Sequence, residues 1–544
     1  MFRWVVVLLL VSPAFGRPAQ QSYDALTQLS NIRLDKSQIL SVRDITINRD
    51  VLSISLNRGA IAFTEAVDGK VTGAVFVGSG DILAIPPDAI EKRQLFRYTK
   101  SALLTEHFET AIFRFTDETR EELLKEVRRH PPETVEAADI EALLRWESEI
   151  QRRGAFLNDR LLADLIASKA RPFFLAQIEG SQVGWFDALY DDRRSEEVVI
   201  QQHKVPAANP LIWVSFNKRS ESGDPAAVAH EDKSVFEIQS ADAEKSLVRI
   251  RLKGEGERLL ILPLPATGVG RVSLDGKPLS FVSSSGNLAV ILPAPGQTGS
   301  EIALEIEIAP ENRAAFFGAV KDRTNSVAPA SYRDEWIIEG LASYGAVISN
   351  PAILVQAREQ LLATSPEGGS YDSLGPVWIG FRMTQPNSDS GSVVLRAKSI
   401  WILHMLRNMM RRDDSDVVFG RFLDDIFAQG TGSRISTFDV KRLAEKQLGR
   451  PLDWFFDAWV FGTGIPAYAM TSRVEPTTNG FVITGTITQS GVPASFEMQV
   501  PVYADQTFLG NVTVSSDGGE FRFISSAMPQ QILLDPNRVV LRQD

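Results

Sequence analysis

The 544-residue chain contains no cysteine, and histidine is scarce. The missing thiols exclude disulfide bonds, thiolate metal ligands and cysteine nucleophiles. Stability must therefore come from the burial of apolar side chains, which a chain of this length can supply. Any site that uses imidazole as a metal ligand or proton carrier has to draw on five residues. These are His107, His130, His203, His230 and His404.

The sequence also has no cluster of basic residues and, beyond its first residues, no long apolar segment. The formal net charge is −11, and lysine and arginine nowhere form the dense run that phosphate neutralisation needs. A membrane-spanning helix needs about 20 predominantly apolar residues. These absences exclude nucleic acid as a partner and predict no membrane span in the mature chain.

The first twenty residues, MFRWVVVLLLVSPAFGRPAQ, have the pattern of a secretory signal peptide. Arg3 supplies the positive region, residues 4–11 the apolar core, and Ala14 and Gly16 the small residues of a cleavage site. The predicted signal peptide comprises residues 1–16, and the mature chain is expected to be exported, to the periplasm or the extracellular space. A short N-terminal anchor helix is the alternative that these residues allow.

Short segments of alternating apolar and polar residues dominate the chain up to residue 310. Examples are ILSVRDITINRDVLSISLNRGAIAF and SEIALEIEIAP, which are typical of antiparallel strands. Two helical patterns interrupt them, DETREELLKEVRRH and TVEAADIEALLRWESEIQRRG, and Gly154 is the predicted C-cap of the second. The sequence therefore predicts a β-rich N-terminal region over 17–310, with a helical insertion near 117–154.

Helical periodicity replaces strand alternation after residue 310, and strands return at the C-terminus. Segments such as LRAKSIWILHMLRNMMRR carry apolar residues at helical spacing, which predicts a helical domain over 311–468. Ser436 with Asp439 indicates a capping box, and Gly449 closes that helix. Residues 469–544 predict a β-sandwich. The predicted fold class is α+β and multidomain.

The segment DEWIIEGLASY, residues 334–344, lies between the β-rich region and LDWFFDAWVFGTGIP. This order of segments resembles the aminopeptidase N family of gluzincin zinc peptidases, in a bacterial exported variety, over most of the mature chain. In that family one helix carries H-E-x-x-H, and W-x-x-E-G-x-A on a second helix supplies the third zinc ligand. The resemblance places Glu339 at that third-ligand position and implies zinc-dependent removal of N-terminal residues from peptides.

The remaining zinc-site positions depart from the family pattern. Counting back from Glu339, the resemblance places the two histidines and the general base at Phe316, Val320 and Phe317, whose side chains can neither bind zinc nor exchange a proton. Arg396 stands where the family has a tyrosine that steadies the oxyanion. The G-x-M-E-N element is also absent. The front half of the catalytic domain is therefore predicted to be missing.

Neither His230 nor His404 restores the site. His230 opens HEDKS, which has Ser234 where a second histidine belongs, so a polar pair at a turn or strand edge is the simpler interpretation. His404, in WILHMLR, is expected to pack at the edge of a helical core. Glu339 itself has a structural alternative, an ion pair with a neighbouring helix. Elsewhere, the charged segment YDDRRSEEV, residues 190–198, is expected to form a solvated, ion-paired turn.

The sequence thus predicts an exported homologue of zinc aminopeptidases that has lost the zinc site and catalytic activity. No catalytic residue is assigned, Glu339 is a vestigial metal ligand, no cofactor is expected, and the retained role is binding a peptide or protein, or structural. The alternative is a zinc-dependent aminopeptidase with an atypical ligand set, for which zinc would be the cofactor. A third hypothesis is the product of an internally shortened gene that folds poorly.

Overall fold

The computed structural model describes residues 17–543, apart from 132, 203–209, 219–232, 285, 367, 385–389, 412–414, 432–433 and 479. The predicted signal peptide, residues 1–16, lies outside the described residues. Internal contacts divide the chain into unit 1, Met1–Ser326, and unit 2, Val327–Asp544. Both units contain helices and several sheets, which confirms the predicted α+β multidomain fold class. Among the described residues, no helix is both long and apolar enough to cross a membrane.

The first part of unit 1 is built on one long antiparallel sheet. Its eight strands follow the order β1-β2-β5-β6-β7-β8-β9-β10. The elements up to this point are α1 (Arg17–Ser30), β1 (Leu34–Arg49), β2 (Leu52–Thr64), β3 (Ala66–Val67), β4 (Lys70–Val71), β5 (Gly73–Ala84), α2 (Ala89–Thr99), β6 (Leu104–Phe115), α3 (Thr119–Val127), α4 (Ala137–Arg145), α5 (Glu147–Gly154), α6 (Asn158–Ile166), β7 (Phe173–Gly180), β8 (Gly184–Asp191), β9 (Val198–Gln202) and β10 (Leu211–Phe216).

The two faces of this sheet are buried in different ways. One face carries an aromatic core that includes Phe76, Phe113 and Phe174, and Leu95 of α2 and Leu123 of α3 join it. Because side chains alternate along a strand, the neighbours of these core residues point to the opposite face. That second face is covered in part by α4, which packs against β2 and β5.

Three neighbouring strand pairs in the middle of the sheet are irregular, and this irregular zone is called the crease below. The β2–β5, β5–β6 and β6–β7 pairs each contain a register shift, between Leu56 and Arg58, Val77 and Gly80, and Phe108 and Ala111. Such irregularities bend strands and increase their local twist.

Two glycines make close backbone approach possible at this crease. Gly59 and Gly78 lie opposite each other on β2 and β5. A Cβ on Gly59 would lie 2.1 Å from the Val77 carbonyl oxygen, and a Cβ on Gly78 would lie 2.2 Å from that of Arg58. Both positions therefore require glycine.

A second sheet completes unit 1, with the strand order β11-β12-β17-β14-β15-β16-β13. The helix that follows it, α7, packs its apolar side chains into the core of this sheet. The elements are β11 (Phe236–Asp242), β12 (Leu247–Leu252), β13 (Leu259–Pro265), β14 (Val269–Leu274), β15 (Lys277–Ser284), β16 (Asn287–Ile291), β17 (Glu301–Ile308) and α7 (Pro310–Asn325).

Unit 2 begins with helices. Three short 3₁₀ segments, Tyr332–Asp334, Tyr371–Leu374 and Val377–Thr384, accompany the longer elements. These are β18 (Ala328–Pro329), α8 (Glu335–Ser349), α9 (Ala352–Leu362), α10 (Ser390–Met410), α11 (Val417–Gly430), β19 (Arg434–Ile435), α12 (Thr437–Leu448) and α13 (Asp453–Trp459).

The helix signals read from the sequence in this part are present. Ser436 and Asp439 form the predicted capping box at the start of α12, and Gly449 ends it with the left-handed φ of 69°. Both signals are local, because each involves only neighbouring backbone groups.

The C-terminal part of unit 2 is all β-structure. It consists of two three-stranded antiparallel sheets, with the orders β20-β21-β24 and β23-β22-β25. The strands are β20 (Ala467–Thr477), β21 (Gly480–Ser490), β22 (Met498–Ala504), β23 (Thr507–Val514), β24 (Gly519–Ser525) and β25 (Ile532–Leu534).

Candidate functional site

Helix α8 carries the motif that the sequence analysis singled out, and its start is firmly anchored. Ser331 and Asp334 form a capping box on the 3₁₀ turn that leads into the helix. Asp334 also accepts hydrogen bonds from the backbone nitrogen and the hydroxyl of Thr437, at 2.7 and 2.8 Å. Trp336 is fully buried and donates from its indole nitrogen to the same hydroxyl at 2.9 Å. The beginning of α8 is thereby fixed to the beginning of α12.

Glu339 lies on the exposed side of α8. Its side chain is 43% exposed, and its Oε2 lies 3.8 Å from Nε of Arg396 on the neighbouring α10. One turn earlier, burial raises the pKa of Glu335, and the charge of Glu339 adds to the effect. The structure thus brings Glu339 together with Arg396, the residue at the family's tyrosine position. A guanidinium beside the carboxylate opposes the binding of a cation there.

The other motif residues serve packing, with one exception. A Cβ on Gly340 would lie 3.0 Å from Leu403 Cδ1, so this glycine permits the close approach of α8 and α10. Tyr344 is buried, as a volume-filling role requires. Ala342, by contrast, is exposed and does not contribute to the helix contact.

Phe316, Phe317 and Val320, the three positions that the resemblance assigns to the remaining zinc chemistry, all lie on α7 in unit 1. Their side chains are 1%, 8% and 0% exposed and belong to the apolar core of the second sheet. The rings of Phe316 and Phe317 pack edge to face, with centroids 5.3 Å apart. These residues are structural members of a core, and they present no donor atom to any ligand.

His404 lies in a buried cluster within unit 2. Its Nδ1 is 3.2 Å from the hydroxyl of Tyr344, and its Nε2 is 3.1 Å from Nδ2 of Asn408. Burial, aided by the charge of Arg407, lowers the pKa of His404 to about 4. The imidazole is therefore neutral at physiological pH and packs beside Trp401, as predicted for a core-edge histidine.

The structure places no metal-binding constellation in the part of the chain that it describes. Within that part, no three histidine, aspartate or glutamate side chains lie together in a way that could hold a metal ion. His203, His230 and Glu231 lie outside the described residues, so the interpretation of HEDKS stays a prediction.

Polar side chains from separate parts of the sequence lie together in a cleft of unit 1. It has a volume of about 830 Å³ and lies between the creased strands β5 and β6 and the helices α4 and α5. A volume of this size falls in the usual range of ligand pockets, roughly 300–1,000 Å³. Its lining consists of Val77, Gly78, Ser79, His107, Glu109, Thr110, Asp139, Ala142, Arg145, Trp146, Glu149 and Arg153.

Charges of both signs and aromatic surface stand close together in this cleft. His107 Nδ1 lies 3.1 Å from Oδ1 of Asp81. Arg153 lies over the ring of Trp185, 3.6 Å from its centroid, and its Nε is 3.1 Å from Oε2 of Glu149. Burial lowers the pKa of Arg153, and the nearby carboxylate works against that shift.

Two tryptophans meet at the helical side of the cleft. The rings of Trp146 and Trp185 are tilted, with centroids 5.5 Å apart. The cleft thus combines anionic, cationic and aromatic contacts within a single unit. The sequence signal for this part of the cleft is the run Arg145-Trp146-Glu147 in the second predicted helix.

The charged segment 190–198 differs from its predicted surface character. Glu196 and Glu197 are buried, and Arg193 is only 13% exposed. Arg193 bridges two further buried carboxylates, lying 2.9 Å from Asp164 Oδ1 and 2.7 Å from Glu257 Oε2. Glu257 lies between β12 and β13 of the second sheet. The ion pairs of Arg193 therefore connect the two sheets of unit 1 through buried side chains.

The similarity of the chain to known proteins is weak. No protein-family model matches the chain. No curated protein matches it either. Among solved structures, 55% of the chain is similar to the crystal structure of Legionella pneumophila aminopeptidase A in complex with aspartic acid, with a TM-score of 0.33 and 9% sequence identity. The chain spans 57% of the length of that structure. A similarity of this size carries no conclusion about family, fold or activity.

Proposed function

We propose that this chain is an exported, non-catalytic homologue of the zinc aminopeptidases, and that it binds peptide or protein segments. The observation that carries the first part is the packing of Phe316, Phe317 and Val320 into the core of unit 1. Those are the positions from which the resemblance would draw two zinc ligands and the general base. A zinc site needs several nitrogen or oxygen donors around one ion, and these side chains offer none.

The surroundings of Glu339 support the same conclusion. The guanidinium of Arg396 lies 3.8 Å from its carboxylate. It supplies the positive charge that a metal ion would otherwise supply. In this proposal the partner of Glu339 is an arginine side chain on the neighbouring helix and no longer a metal ion.

The cleft of unit 1 supports the binding role. A peptide presents an ammonium group, a carboxylate and apolar side chains, and the cleft offers a partner for each. Asp139 suits the first, Arg145 the second, and Trp146 the third.

Zinc content tests the loss of the metal site. The mature protein, the Glu339→Ala variant and the Glu335→Ala variant are dialysed against buffer with trace zinc, and the bound metal is measured by mass spectrometry. We expect much less than one zinc per chain in all three proteins. Stoichiometric zinc that disappears in Glu339→Ala and persists in Glu335→Ala would instead establish a zinc site at Glu339 and favour the alternative, a zinc-dependent aminopeptidase.

Calorimetric titration with a set of short peptides tests the cleft. We expect binding that Trp146→Ala weakens by at least tenfold, because it removes the aromatic surface of the lining. Arg128→Met, which removes an exposed arginine of unit 1 outside the lining, serves as the control and should bind as the wild type does. Equal affinities of the wild type and Trp146→Ala would contradict the assignment of the cleft.

A further inference from the structure

The sheet face that forms one wall of the cleft continues beyond it. On β6 the lining ends at His107, which pairs with Asp81 on β5. Because side chains alternate along a strand, the next residues that point to the same face are Leu83 on β5 and its partner Thr105 on β6. The register between these two pairs is regular, so Leu83 lies next to the end of the cleft.

Three large apolar side chains are exposed on this continuation of the sheet. Leu83 is 38% exposed, Ile85 42% and Leu103 39%. Ala84 and Leu104 are the last pair of β5 and β6, and both belong to the core on the opposite face. Ile85 directly follows β5 and Leu103 directly precedes β6. Leu83, Ile85 and Leu103 therefore form one surface on the face of the cleft, which is called the outer patch below.

The outer patch has polar neighbours and a small area. Ser53 on β2 pairs with Leu83, Ser55 pairs with Asp81, and Thr105 pairs with Leu83 from the other side. An exposed apolar surface with a polar rim marks a binding site. A specific interface between folded proteins buries roughly 800 Å² on each partner. Three side chains that are each partly exposed offer far less, so the outer patch suits a short segment and not a second copy of the chain.

The strand geometry sets the length that such a segment needs. Thr105 lies two residues and Leu103 four residues from His107, which corresponds to roughly 7 and 14 Å at about 3.4 Å per residue. An extended peptide covers the same distance with about two to four of its own residues. A ligand that fills the cleft and reaches the outer patch is therefore longer than a dipeptide.

We propose that the ligand of the cleft is an extended peptide segment of about five residues or more. One part of it lies in the cleft, and an apolar side chain two to four residues past His107 rests on the outer patch. This inference depends on the peptide-binding function proposed above and adds a subsite to it. The patch presents only aliphatic side chains, so the subsite selects an apolar residue through the burial of its surface.

Calorimetric titration of the full mature chain with serine hexapeptides tests the subsite. Each probe carries one tyrosine at an end, for the tryptophans of the cleft, and one leucine that is moved through the other positions. We expect the best leucine position to improve the affinity roughly fivefold over the probe without leucine, because it buries part of an aliphatic side chain. The double variant Leu83→Thr/Leu103→Ser should lose this gain and still bind the probe without leucine.

A matched control comes from unit 2. Ile524 on β24 is 67% exposed, so Ile524→Thr removes an exposed aliphatic side chain from a strand far from the cleft in sequence. This variant should keep the preference for leucine. Thermal melts of all variants verify that they fold, which surface substitutions of this kind should allow.

The outcomes separate the subsite from the cleft. If no probe binds the wild type, or if Trp146→Ala binds as well as the wild type, the peptide-binding function fails and the subsite with it. If Trp146→Ala weakens binding but the leucine position has no effect, or if the double variant keeps the preference, the subsite alone is wrong. Sedimentation equilibrium should show a monomer. A dimer that the double variant abolishes would assign the outer patch to a second copy and overturn the proposal.

Discussion

Two ion pairs of helix α10 start from neighbouring positions in the sequence but differ in burial and in distance. Arg396 and its partner Glu339 are 66% and 43% exposed, with 3.8 Å between Nε and Oε2. Two residues on, Lys398 and its partner Asp372 are 0% and 2% exposed, with 2.7 Å between Nζ and Oδ1. The exposed pair contains the glutamate that the resemblance places at the third zinc-ligand position. The buried pair contains residues to which the sequence assigns no function.

The buried pair also organises more of unit 2. Lys398 donates to the carbonyl oxygen of Gly462 at 3.1 Å, and Asp372 accepts from the backbone nitrogen of Gly464 at 2.5 Å. The pair therefore joins α10, the 3₁₀ turn Tyr371–Leu374 and the segment after α13. The glutamate of a motif that resembles an active site can therefore lie in a weak, exposed ion pair, while charges to which the sequence gives no function hold the surrounding elements together.

Breaking the buried pair should have the largest effect. Lys398→Met leaves Asp372 buried without its cation, which should lower the free energy of unfolding of unit 2 by about 3–5 kcal/mol. Urea denaturation followed by circular dichroism measures this loss. If Lys398→Met proved no more destabilising than Arg396→Met, the buried pair would not contribute more to stability than the exposed pair.

The half-buried His404 should make the stability of unit 2 depend on pH. Its pKa is about 4 in the folded protein against 6.5 in the unfolded chain, so unfolding is accompanied by proton uptake between these values. The contribution is fully present above pH 6.5 and is lost as the pH falls towards 4, by about 3 kcal/mol in all. Urea midpoints across this range should show the loss, and His404→Gln should flatten it. If the urea midpoint changed with pH equally in the wild type and in His404→Gln, other titrating groups would be the cause of the pH dependence.

Two glycine substitutions sharpen the contrast between buried and exposed sites. Gly154→Ala would force a Cβ against Nη1 of Arg114, and we expect a loss of about 1–3 kcal/mol in the free energy of unfolding. Gly345→Ala, at an exposed position of α8 with nothing near the added carbon, should gain about 0.5–1 kcal/mol. Thermal melts of the two variants should shift in opposite directions. A stabilised Gly154→Ala protein would mean that Arg114 moves aside without cost.

The exposed pair should give the smallest effect. Arg396→Met should change the free energy of unfolding by less than about 1 kcal/mol, because solvent screens the pair. It also removes the cation next to Glu339, so zinc uptake by this variant is a sensitive test of any latent metal site. We expect none above that of the wild type. Tight zinc binding by Arg396→Met would show that the guanidinium suppresses a functional ligand set.

The sequence was sufficient where structure depends on neighbours along the chain. The capping box of Ser436 and Asp439 and the left-handed Gly449 needed only local patterns. The alternating segments likewise predicted antiparallel strands, because a half-buried sheet imposes a period of two. Gly154 shows the limit of such signals. It is the last residue of α5 but not the predicted C-cap, because its φ is −95° and the chain continues into a 3₁₀ turn at Ala155. Its small size instead makes room for Arg114 on a distant strand.

The sequence was insufficient where partners are distant. Residues 190–198 alternate charges as a solvated turn does, yet Arg193 contacts Asp164 and Glu257, and nothing nearby in the sequence indicates this. The cleft in unit 1 depends on register shifts in three strand pairs, which no composition reveals. The resemblance to aminopeptidases identified Glu339 and Arg396 as related positions but could not show that they meet.

The crease at Gly59 and Gly78 has a consequence for how the cleft can change over evolution. On the side of the sheet, its shape depends on backbone atoms of β2 and β5 that touch where no side chain fits. On the opposite side, it is lined by side chains of α4 and α5. Substitutions at positions such as Asp139 or Arg145 can therefore alter selectivity while the scaffold remains the same. Gly59 and Gly78 are required by the fold, whereas the lining side chains are not. Related proteins with this fold can therefore bind different ligands through substitutions in the lining alone.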